Sequence, residues 1–185
     1  MNADYRLEFA VTTSDASRAR AVASELGGSL YVDERDEGSR LPFRAMLTTV
    51  TDDVEPLAAL ADVGLYVVCR RPIIPRECSV IGLFPLVRRP DLTHRQADAH
   101  WREVHAPLAL QHHRHMTHYT QLGVVQRISG PEIDGFALCG FDSLDDLRNR
   151  FFSESDSREV ITADIARFAD TTRSPRRLIA TQTRY

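Results

Sequence analysis

The stretch LVRRPDLTHRQADAHWREVHAPLA (86–109) decides how this chain is read. It begins as the end of an apolar run, SVIGLFPLVRR (79–89), and passes through Pro90 and Asp91 to Thr93, three residues before Gln96. That spacing predicts a capping box, in which the Thr93 hydroxyl accepts from the Gln96 N–H while the Gln96 side chain reaches back to the Thr93 N–H. Ala97, Trp101, Val104 and Leu108 follow at helical spacing and predict a buried stripe, with Arg95, Arg102 and Glu103 on the other side. Pro107 has no N–H to donate and its ring clashes with the Glu103 carbonyl, so the helix is expected to stop or kink near Ala106. His105 then falls in the last regular turn beside the stripe. There the helix dipole favours imidazolium and partial burial favours the neutral ring, a balance suited to proton transfer near neutral pH. The competing reading is a core-edge histidine that donates one hydrogen bond to a freed carbonyl.

Working outward, the order strand, helix, strand, strand, helix, strand occurs twice. In residues 1–75, YRLEFAVTT alternates like a half-buried strand, and SDASRARAVASELGG opens with cap residues and ends at Gly27-Gly28. SLYVDE and PFRAMLTTV read as strands around the charged turn RDEGSR, DDVEPLAALADVG as a short helix and LYVVCRR as a closing strand. Residues 76–185 repeat the order with strands at 79–89, 118–128, 135–141 and 176–185, a helix from Thr93 and a helical stretch over 143–169. The fold class is α+β, two ferredoxin-like (βαββαβ) halves. VIGLF and GFALCGF are apolar at odd and even positions alike, so both sheet faces are covered, one by helices and the other by a second sheet. Two four-stranded sheets closing on each other make a barrel. Closure within one chain and closure between two copies, as a homodimer, both satisfy the pattern.

All 23 basic residues are arginine; lysine is absent, which removes Schiff-base lysine catalysis, covalent pyridoxal phosphate and a P-loop lysine. Up to Pro75 there are 8 Arg against 12 acidic residues, and after it 15 against 14, so neither half is basic enough for a nucleic-acid partner. Cys69, Cys78 and Cys139 form no CxxC pair and sit in apolar stretches, where they read as reduced structural thiols. Without an apolar run of spanning length, or a basic segment followed by one, the expectation is a cytoplasmic protein with no membrane partner.

Six of the seven histidines lie within 100–119. In QHHRHMTHY (111–119), His112, His115 and His118 recur every third residue and could share a helical face around a metal such as Zn²⁺. The nearest acids in sequence are Glu103 and Glu132, and a strand beginning near His118 would break the helical register, so no metal is assigned.

The segment 86–109, together with DGFALCGFDSLDDLRNRF (134–151) and ADIARFADTTRSPRRLIATQ (163–182), resembles the EthD-domain family of the dimeric α+β barrel superfamily, over residues 79–185. The chain departs from that pattern at Leu122, where a polar residue is expected, and in the histidine-rich stretch before Tyr119. The resemblance implies an apolar barrel cavity that takes a small aromatic or polyketide-like carbonyl compound without metal or organic cofactor. By position it implies His105 as acid/base residue and Tyr119 as its partner, with Trp101, Leu108, Phe84 and Leu122 as substrate-binding wall. Cyclisation, dehydration and isomerisation share a first proton transfer and remain open, beside cofactor-free oxygenation and a non-catalytic carrier of hydrophobic metabolites.

Overall fold

Strands that are apolar on both faces need two covers, and the computed structural model of the chain supplies them. It describes residues 5–35 and 41–185, so most of the expected charged turn RDEGSR lies outside the described residues. The first half runs β1 (Arg6–Thr13), α1 (Ala16–Leu26), β2 (Ser29–Val32), β3 (Ala45–Thr49), α2 (Glu55–Leu60) and β4 (Gly64–Ile74). The second runs β5 (Val80–Leu86), α3 (His94–His100), a π turn (Trp101–His105), α4 (Ala106–His112), β6 (His118–Ser129), β7 (Gly135–Phe141), α5 (Leu144–Asn149), α6 (Ser157–Phe168) and β8 (Leu178–Arg184). The helical stretch expected over 143–169 is thus two helices, parted by a segment from which Phe151 and Phe152 turn partly inward.

The eight strands form one closed antiparallel barrel in the order β1-β3-β2-β8-β5-β7-β6-β4. Across each half the order is fourth, first, third, second strand. The seams are β2 with β8, where Tyr31 faces Gln182, and β4 with β6, where Cys69 faces Gly123. Of the two closures the sequence allowed, this one lies within a single chain, and no second copy is needed to complete the sheet.

Alternation sorts the side chains. Inward-pointing residues from all eight strands, among them Ala10, Tyr31, Met46, Tyr66, Leu83, Leu122, Phe136 and Leu178, fill the barrel. An eight-stranded barrel has room for little more than its own side chains. Outward-pointing residues of the first half pack under α1 and α2, and those of the second half under α3, α4, α5 and α6. No helix among the described residues is long and apolar enough to cross a membrane.

The helix opened by Thr93 forms with its capping box complete. It does not stop at Ala106. Pro107 cannot donate to the Glu103 carbonyl, and the chain answers with a π turn in which the Ala106 N–H bonds the Trp101 carbonyl instead, after which α4 continues to His112. One extra residue in the turn rotates everything beyond it by about 100°. The buried stripe therefore runs Ala97, Trp101, His105, Ala106 and Ala109, while Val104, expected inside, is 46% exposed and Leu108 is only half-buried.

Gly135 on β7 gives Trp101 its seat. A Cβ there would lie 2.4 Å from a Trp101 ring carbon and 3.1 Å from the Leu122 carbonyl oxygen. Gly135→Ala is expected to destabilise the fold by about 1–3 kcal/mol, the usual range for overpacking. The shift of the urea-unfolding midpoint, followed by Trp101 fluorescence, measures it; an unchanged midpoint would contradict the seating of that ring.

Candidate active site

The π turn carries His105 inward until it is 8% exposed, and places it opposite α6. There Ile161, Asp164 and Phe168 form the buried face of the helix, and Asp164 is a carboxylate on an otherwise apolar stripe. One Asp164 oxygen bonds His105 Nδ1 at 2.8 Å and the other bonds His100 Nε2 at 2.8 Å. Both rings also lie against Phe168, with centroids 5.2 Å away in each case. A carboxylate in this position fixes the His105 tautomer: Nδ1–H donates to Asp164, and Nε2 keeps its lone pair for other work.

The dipole argument for His105 does not survive, because the helix continues past it and the ring is not at a carbonyl-rich end. Burial pulls the His105 pKa below its ordinary value, and the hydrogen bond and charge of Asp164 only partly oppose this. The ring is neutral at pH 7 and competent to accept a proton.

Tyr119 reaches the same region from β6 and is 1% exposed. Gln121, two residues along and on the same face of the strand, donates from Nε2 to the Trp101 carbonyl at 2.9 Å and to the Tyr119 hydroxyl oxygen at 3.1 Å. The Trp101 carbonyl can only accept, which sets the orientation of the amide. The Tyr119 oxygen accepts from the side chains of Gln121 and Trp101 and keeps its own proton to give, and burial pushes its pKa up, so it remains a donor.

His105, Tyr119, Trp101 and Phe84 line one cavity of about 470 Å³. It does not occupy the barrel. Its walls are the outer face of β5, β6 and β7 on one side and the π turn, α4 and α6 on the other. This corrects the expectation of a cavity inside the barrel, whose interior is filled by side chains. It also explains the two expected wall residues that are missing. Leu122 differs from Tyr119 by an odd number of strand positions, so it points into the barrel, and Leu108 is rotated aside by the π turn.

Sequence reading missed Asp164, His113 and the arginines of the cavity. A lone acid at helical spacing with Ile161 and Phe168 was the available signal for Asp164. His113 donates from Nδ1 to the Phe151 carbonyl at 2.6 Å, and burial lowers its pKa to about 4. Cys139 also lines the cavity, and burial pushes its thiol up to about 12, which leaves it a poor nucleophile.

The three histidines weighed as metal ligands, His112, His115 and His118, do not converge. His112 Nδ1 meets Ser157 Oγ at 3.0 Å, His115 Nε2 meets Arg150 at 3.1 Å, and His118 Nδ1 meets the Arg76 carbonyl at 2.6 Å. Among the described residues no three His, Cys, Asp or Glu side chains are grouped so as to hold a metal ion.

Residues 89–172 match the family model described as the EthD domain. A search of curated proteins found no match. Among solved structures, an anthrone oxidase-like protein superposes with a TM-score of 0.58 at 8% identity, covering 97% of this chain and 92% of its own. A protein titled "putative monooxygenase" from Lactobacillus acidophilus NCFM gives 0.51 at 10% identity, with 97% and 93% covered. One with the same title from Fusobacterium nucleatum subsp. nucleatum ATCC 25586 gives 0.52 at 10% identity, with 100% and 99% covered. At such identities the likeness is one of fold.

His105, His113 and His118 all have pKa values lowered chiefly by burial. Below about pH 6.5 the unfolded chain takes up protons that these folded rings refuse, so stability falls as the pH drops from about 6.5 toward 4. The melting temperature is expected to be lower at pH 5 than at pH 7.5, and His113→Gln should flatten the slope. Equal melting temperatures at the two pH values would show that the three rings titrate normally.

Proposed function

We propose that the chain is an enzyme acting without metal or organic cofactor on a small aromatic or polyketide-like carbonyl compound held in this cavity. One observation carries the reading: an imidazole at the wall of an apolar cavity whose Nδ1 is held by a buried carboxylate. His105 Nε2 takes a proton from carbon next to the carbonyl. Asp164 holds the ring and steadies the imidazolium that forms. Tyr119 donates its free O–H to the developing enolate oxygen, an interaction that strengthens as charge appears. Trp101, Phe84 and Phe168 keep water away, which strengthens both interactions.

Ring closure, loss of a hydroxyl and migration of a double bond all start from such an enolate, and so does its reaction with dioxygen. The names of the solved relatives lend support to the oxygen branch, at 8–10% identity. We read residues 1–75 and 76–185 as two ferredoxin-like halves, the first supplying the sheet that a second copy would otherwise supply and the second supplying the chemistry. The cytoplasm is the compartment that suits the three free thiols.

Hydrogen–deuterium exchange tests the first step without a known substrate. The wild-type protein in D₂O is expected to exchange the protons next to the carbonyl of anthrone or 2-tetralone faster than buffer does, as followed by NMR. His105→Ala should lower the enzymatic rate by about 10²- to 10⁴-fold, and Asp164→Asn should lower it substantially by unsettling the tautomer. A folded His105→Ala protein with full exchange would remove His105 from the mechanism. Tight binding without exchange would make the protein a carrier.

A further inference from the structure

The cavity is apolar in its depth but not neutral. Three arginines, Arg158, Arg176 and Arg177, line it, and among the described residues no aspartate or glutamate does. Arg177 immediately precedes β8, and its guanidinium lies 5.6 Å from the centre of the Phe84 ring and 5.9 Å from that of Phe151, both of which line the cavity. Arg158, on the first turn of α6, lies 4.7 Å over the ring of Phe152. Among the described residues neither Arg158 nor Arg177 has a carboxylate or carbonyl partner; aromatic faces are what they touch.

A half-buried guanidinium without a counter-ion is costly, and chains commonly place a carboxylate beside it. Burial first, then chiefly the like charges of Arg35 and Arg176, pull Arg177 below its ordinary value, and among the described residues no carboxylate is bonded to Arg177 itself. A guanidinium stacked on a ring still presents its N–H edge, in a fork that matches a carboxylate.

We propose that the substrate carries an acidic group, a carboxylate or phenolate, on its aromatic frame, and that Arg177, assisted by Arg158, receives it at the cavity wall. This deepens the reading of the cavity as a substrate site and rests on it. The division of labour is between the arginines, which select and orient the anion, and His105 with Tyr119, which act at the carbonyl. A neutral hydrocarbon of the same shape would fill the apolar depth and leave the guanidinium unsatisfied.

A matched pair of probes, 2-naphthoate and 2-naphthamide, separates charge from shape. Equilibrium dialysis against wild-type protein is expected to show naphthoate bound at least about tenfold more tightly than the amide, the scale of a hydrogen-bonded charge pair. Arg177→Gln should bring the two within about twofold by weakening naphthoate, and Arg158→Gln should reduce the preference by a smaller factor. Equal binding of the two probes by the wild-type protein would overturn the proposal, and that result needs no variant to fold. A preference that survives both arginine substitutions would also overturn it. In each of those cases binding persists and the cavity remains a ligand site. Binding of neither probe would remove the cavity reading and the anion preference together.

Discussion

A carboxylate buried among apolar side chains must be surrounded by donors, and Asp164 has two, one on each oxygen. His100 and His105 are five residues apart, a spacing that an unbroken α-helix would turn away from a single acceptor. The π turn between them brings both to one face, and Asp164 closes the bridge from α6. Loss of either imidazole would leave an oxygen unpaired in a dry site. The bridge thus ties together the two helical segments that roof the cavity, and it fixes which nitrogen of His105 faces it.

The π turn follows from Pro107. A residue that cannot donate leaves a carbonyl without its helical partner, and the wide turn redistributes the bonding so that the Trp101 carbonyl accepts from both Ala106 N–H and Gln121 Nε2. Through Gln121 the turn is joined to β6, and through the same amide group it orders the Tyr119 hydroxyl. A backbone irregularity therefore places the base and prepares the donor. Such turns concentrate at functional sites for this reason: they expose backbone groups and shift the phase of every side chain beyond them.

The barrel supplies rigidity and leaves the chemistry outside. Its interior is occupied by side chains from all eight strands, and the cavity lies where helices cross the outer face of the sheet. The two halves share strand order but differ in that cover. In the first, α1 and α2 pack closely on β1, β2 and β3. In the second, the longer and interrupted helices stand away from β5, β6 and β7, with aromatic rings at the margin and arginines across them.

The sequence by itself determined the order of the eight strands, the capping box at Thr93 and the covering of both strand faces, and its family-like motif pointed to Trp101, His105 and Tyr119. Each of these rests on local rules, on capping geometry, strand alternation and proline chemistry, or on a motif carried within a few dozen residues. Tertiary structure alone decided the rest. Asp164 meets His105 across 59 residues of chain, and no local pattern names that partner. The choice of closure within one chain depended on how β2 meets β8 and β4 meets β6, contacts between the ends of the two halves. The phase shift that exposed Val104 and displaced Leu108 came from one extra residue in a turn. Periodicity assumes a constant rotation per residue, and it fails at the position where proline forces that rotation to change.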